Sequence, residues 1–129
     1  MLAATCPGHD MPLTRILLYV RDVEKTTQFY ATLFGLEIHR AEGDRIVELI
    51  DPRGGANLML HPAAKSQKTG QATVKLVFSV PDVEKFCSEC SARGFPFGPI
   101  HRTGNYAFAN AKDPDGNSIS VSSRGVPES

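Results

Sequence analysis

The chain repeats itself, and that limits what it can fold into. The segment RILLYVRDVEKTTQFYATLFGLEI (Arg15–Ile38) returns in outline as KLVFSVPDVEKFCSECSARGFPF (Lys75–Phe97). DVEK stands at Asp22–Lys25 and again at Asp82–Lys85, and DPRGG at Asp51–Gly55 is echoed by DPDGN at Asp113–Asn117. Both offsets are about 60 residues, the mark of one supersecondary unit used twice. A unit of about 50 residues buries too little surface to stand alone, so two copies must share a core.

Each copy follows one grammar. A β-branched and aromatic strand comes first, Arg15–Val20 or Lys75–Val80. Asp22 or Asp82 then caps a helix, with Glu24 or Glu84 in its first turn, where the helix dipole favours negative charge. Phe29, Tyr30, Leu33 and Phe34 hold the core spacing of the first helix, which stops at Gly35; the second stops at Gly94. Three strands follow: Glu37–Ala41, Arg45–Ile50 and Ala56–His61, then Phe97–Arg102, Tyr106–Ala111 and Ser118–Ser122. DPRGG and DPDGN suit type I turns with a bulge between the last two strands of each copy. The expected class is α+β, two tandem βαβββ modules pairing their sheets around a central cleft. Residues 13–62 and 74–123 are the modules, 63–73 the linker, 1–12 a loose extension and 124–129 a tail.

Composition narrows the function. Lys and Arg total 14 and Asp and Glu total 14, so the basic excess of a nucleic-acid binder is missing. No run approaches the roughly 18 apolar residues of a membrane helix. The N-terminus lacks the basic and apolar regions of a signal peptide, which points to the cytoplasm. Three cysteines, Cys6, Cys87 and Cys90, are no disulfide framework. Cys87 and Cys90 form a C-x-x-C, yet with Val83 and Phe86 they follow the i, i+3, i+4, i+7 stripe of a helix core. The spacing therefore predicts packing rather than zinc or redox chemistry.

Alternation along the strands assigns faces. Ile16, Leu18, Val20, Leu58, Leu60, Leu76, Phe78, Val80, Ile119 and Val121 belong under the helices. Arg15, Leu17, Tyr19, Asn57, Met59, His61, Lys75, Val77, Ser79, Ser118, Ser120 and Ser122 belong to the cleft.

With its Asp cap, its Phe-Tyr and Leu-Phe-Gly-Leu helix ending, and DPDGNSISV near the far end, the chain resembles the vicinal oxygen chelate superfamily. That superfamily includes glyoxalase, bleomycin-resistance proteins and extradiol dioxygenases. The resemblance covers about residues 13–123. It implies the fold strongly and the reaction weakly, since one scaffold hosts many chemistries. Metal-dependent members place one ligand on the first and last strand of each module. The matching positions here are Arg15, Met59, Lys75 and Ser120. Charged Arg and Lys have no lone pair to give, and thioether and hydroxyl are poor donors to hard cations. No metal or other cofactor is expected there. The resemblance further implies a homodimer, because such folds commonly complete their sites across a two-fold interface.

Arg15 and Lys75 occupy equivalent positions and should face one cavity, which implies an anionic ligand unless Glu48 or another acid neutralises them. Tyr19, Asn57, Met59 and Ser120 would line that cavity. His61, at a strand end, is a weak candidate acid–base; His39 and His101 are surface residues by default, and His9 has no role. The leading expectation is a metal-free binder of a small anionic organic molecule. The alternative is a metal-dependent lyase, isomerase or dioxygenase with a displaced site on His61 and Glu48. A third is metal-free catalysis by His61, with Arg15 or Lys75 stabilising an enolate.

Overall fold

The computed structural model describes residues 12–126, which contain eight strands and two helices. The expected extension lies outside these residues except for Pro12, as do Cys6, His9 and the last three residues of the tail. In chain order the first module is β1 (Arg15–Val20), α1 (Val23–Phe34), β2 (Glu37–Arg40), β3 (Val47–Ile50) and β4 (Asn57–Pro62). The second is β5 (Lys75–Ser79), α2 (Val83–Ala92), β6 (His101–Arg102), β7 (Ala107–Lys112) and β8 (Ser118–Ser122). The sheets are ordered β1-β4-β3-β2 and β5-β8-β7-β6, with only the first pair of each parallel. The two modules thus have one topology, and β1 and β5 are both edge strands.

The helix starts follow from side-chain chemistry. Asp22 accepts from the Lys25 amide at 2.9 Å and Asp82 from the Lys85 amide at 3.0 Å. One ion pair also repeats: Arg40 on β2 binds Glu24, and Arg102 on β6 binds Glu84. Gly35 ends α1 with φ of 65°, a left-handed conformation that a side chain would strain.

One expected strand is much shorter than read. Phe97–Arg102 shrinks to His101–Arg102. Pro96 and Pro99 bring no N–H to a ladder, and the Gly98 amide alone reaches across, to Asn110 O at 2.8 Å.

The modules meet through their helix-covered faces. Phe34 of α1 stacks on Phe78 of β5 with ring centres 3.7 Å apart, and Phe29 meets Phe95 edge-on. One continuous core results, from Val20, Phe29, Tyr30 and Leu60 through to Val83, Cys90 and Val121. Cys90 is buried and Cys87 half-buried, and both are free. Burial pushes both thiols up, which keeps them protonated and unreactive. Among the described residues, no helix is long and apolar enough to cross a membrane.

Candidate functional site

Each sheet covers one face with helix and bares the other. On the first module the bare face is set by register: Arg15 beside Asn57, Leu17 beside Met59, Tyr19 beside His61. β3 adds Glu48 next to Met59, and β2 adds His39 next to Glu48. The Arg15 Nε reaches across β4 to Glu48 Oε2 at 2.7 Å. Arg15 is thus already neutralised by its own sheet. Asn57 is also engaged, since its Oδ1 accepts the Asp51 amide at 2.9 Å and closes the turn. Met59 keeps its place between Leu17 and Glu48.

His61 is oriented more tightly than a strand-end residue needs to be. Its Nδ1 lies 2.8 Å from the Pro62 carbonyl, and its ring centre is 5.2 Å from that of Tyr19. A carbonyl only accepts, so this contact puts the proton on Nδ1 and leaves the Nε2 lone pair free.

On the second module the bare face carries Lys75 beside Ser118, Val77 beside Ser120 and Ser79 beside Ser122. β7 supplies Lys112, Asn110 and Phe108 next to the same three serines, and β6 sets His101 beside Phe108. Lys75 Nζ donates to Asn110 Oδ1 at 3.0 Å, and Lys112 Nζ to Ser118 Oγ at 2.8 Å. Among the described residues no carboxylate lies within ion-pair distance of either lysine. His101 stacks on Phe108 with centres 5.0 Å apart. Ser120 has the expected face but is buried, with its hydroxyl donating to Ala109 O at 3.0 Å. A small side chain on β8, between taller neighbours on β5 and β7, is shaded even on the open side.

Arg15 and Lys75 therefore differ in kind. One is spent inside its sheet; the other, with Lys112, keeps an uncompensated charge. Alternation along β7 is the signal that places Lys112, Asn110 and Phe108: Ala109 is in the core, so its neighbours at i±1 are not. The sequence reading had Phe108 and Asn110 on that strand but assigned it no faces, and ended it one residue before Lys112. The donor set for a metal is poor. Arg15 and Lys75 have no lone pair, the Ser120 hydroxyl is turned into backbone, and no three His, Cys, Asp or Glu side chains gather among the described residues.

A duplicated βαβββ unit with helices on one side and two bared sheet faces defines a class of protein. The model of the Glyoxalase/Bleomycin resistance protein/Dioxygenase superfamily matches residues 13–121, and the chain belongs to that superfamily. Similar solved structures include lactoylglutathione lyase from Agrobacterium tumefaciens, at 22% identity and TM-score 0.68, covering 86% of this chain and 92% of that one. TnmS3, an antibiotic binding protein from Streptomyces sp. CB03234, shares 22% identity at TM-score 0.71, covering 86% and 93%. A glyoxalase/dioxygenase from Nostoc punctiforme shares 19% at TM-score 0.71, covering 91% and 93%. At these identities the likeness speaks for the fold alone.

Proposed function

We propose that this protein binds a small anionic organic molecule without a metal, on the bared face of the second module, as a homodimer in the cytoplasm. The observation that carries this reading is the Lys75–Ser118–Lys112 row. Lys75 and Lys112 stand on either side of Ser118 in register, with no acid within ion-pair distance among the described residues, on the face that also carries Val77 and Phe108. A carboxylate or phosphate would supply the missing charge, and the apolar neighbours would take an organic body. Arg15 is not the anion's partner, because Glu48 holds it. Tyr19, Met59 and His61 would form the facing wall, and Asn57 and Ser120 would support the strands.

Two open strand edges support the homodimer part of this reading. β1 and β5 are edge strands, and Leu17, Tyr19, Val74 and Val77 are exposed on or beside them. Such edges and apolar side chains are normally covered. Pairing β1 of one copy with β5 of another would join one bared face to the other. Free thiols at Cys87 and Cys90 suit a reducing compartment.

The test has three parts. Light scattering on the eluting protein should give twice the 14.0 kDa chain mass. A thermal-shift panel of small carboxylates and phosphates should find stabilising ligands, since a ligand that prefers the native state raises Tm. Lys75→Ala and Lys112→Ala should each weaken a hit about tenfold, the loss of one charge-assisted hydrogen bond. Unchanged affinity in the double variant would overturn the reading. So would stoichiometric Zn, Ni, Mn or Fe that survives dialysis.

One observation favours a catalytic version. The His61 Nε2 lone pair is oriented by the Nδ1 contact to Pro62 O, as a base requires. If His61 acts as a base on a bound ligand, His61→Gln abolishes turnover and leaves affinity intact.

A further inference from the structure

The space between the two modules is only partly filled. Phe34 and Phe78 stack nearly parallel at 3.7 Å, and Phe86 lies 5.7 Å from Phe34 in a similar plane. These rings hold α1 and β5 apart like a spacer. Beside them is a cavity of about 530 Å³. Ile16, Leu33 and Leu58 line it from the first module, and Leu76, Phe78 and Phe86 from the second. This is the helix-covered side of both sheets, opposite to the faces that carry Leu17, Met59 and Phe108. β5 is an edge strand, and its bared-face residues Lys75, Val77 and Ser79 border the cavity as well.

The rim is polar and unbalanced. Arg53 gives its Nε to Asp51 at 2.8 Å and one terminal nitrogen to the Phe34 carbonyl. Its other terminal nitrogen, Nη1, has no hydrogen-bond acceptor among the described residues. Lys75 also borders the cavity, and its ammonium has only the neutral Asn110 amide. Burial works against the Asp51 carboxylate, but the hydrogen bonds and charge of Arg53 outweigh it and hold that carboxyl below the usual range. The rim therefore carries two cations against one permanent anion, over an apolar interior of ligand-binding size.

We propose that this inter-module cavity is a second binding site, for an amphipathic carboxylate. The apolar body lies between Leu33, Leu58 and Phe78, and the head group meets the net positive charge that Arg53 and Lys75 together leave over Asp51 at the rim. Lys75 borders both this site and the bared face, and Arg53, which borders this one alone, is the residue that separates the two.

The probes are decanoate and the uncharged decanol, titrated into the full chain with methyl groups labelled for NMR. Decanoate should shift the Ile16, Leu33 and Leu58 methyl signals and leave Leu17 unmoved. Val74 borders the cavity and is 61% exposed, so Val74→Trp should block entry without loss of fold, weakening decanoate about tenfold. Arg53→Gln should weaken decanoate several-fold and decanol not at all, and Arg53→Lys should restore decanoate. Shifts confined to Leu17 and its neighbours, or no shifts at all, overturn the proposal. So does binding by Val74→Trp equal to the parent, or binding that vanishes as the protein is concentrated, which would assign the cavity to a second copy. Loss of bared-face ligands with decanoate binding intact would sink the earlier reading and leave this one standing.

Discussion

Tyr30 is fully buried, and its hydroxyl crosses from one module to the other. It donates to Asp113 Oδ2 at 2.6 Å. Asp113 also accepts from the Asp115 and Asn117 amides and from the Asn117 side chain, so one carboxylate ties a turn and a helix together. Tyr30→Phe keeps the ring and removes the donor, and should cost about 1.5–3 kcal/mol in urea denaturation, the usual worth of a hydrogen bond to a charged group. A pH dependence follows. Burial, then the charge and hydrogen bond of Asp113, push the Tyr30 phenol far above its ordinary value. Stability from this group is complete below the unfolded value of about 10 and is lost above it, because only the unfolded chain then releases the proton. The loss attributable to Tyr30 should approach about 1.4 kcal/mol per pH unit and vanish in Tyr30→Phe. The turn itself was legible in DPDGN. That its first Asp also receives Tyr30, 83 residues away, was not, because no local rule reaches that far.

Among the elements, the helix caps are the clearest case of sequence dictating structure. Asp22→Ala and Asp82→Ala should each cost about 1 kcal/mol in thermal or urea denaturation, while the Asn variants keep an acceptor and lose much less. By contrast, Glu84→Gln should change stability by less than about 1 kcal/mol, since its pair with Arg102 is largely exposed. Strand faces were legible wherever period-two alternation was clean, as along β1 and β4. They failed in two ways. Proline erased most of the expected strand before His101, and neighbours on both sides buried Ser120 despite its outward register. The first is a backbone effect that could have been read. The second depends on which strands flank β8, which is a property of the sheet.

At the scale of the molecule, the aromatic stack decides how two half-stable units become one. Phe34→Ala removes a buried ring from between α1, β5 and α2, and should cost about 3–5 kcal/mol. Unfolding should still occur in one cooperative step, because neither module buries enough surface to persist alone. Calorimetric and van't Hoff enthalpies that agree would support this, and two resolved transitions would contradict it. The sequence by itself determined the duplicated unit, its helix caps and turns and the alternation of its main strands, because these rest on residues close together in the chain. Only the tertiary structure decided that Glu48 neutralises Arg15 while Lys75 and Lys112 meet no carboxylate among the described residues. It also decided that the modules meet helix side to helix side around an aromatic spacer. Charge balance and packing depend on which side chains lie within a few ångströms, and folding brings those together from distant parts of the chain.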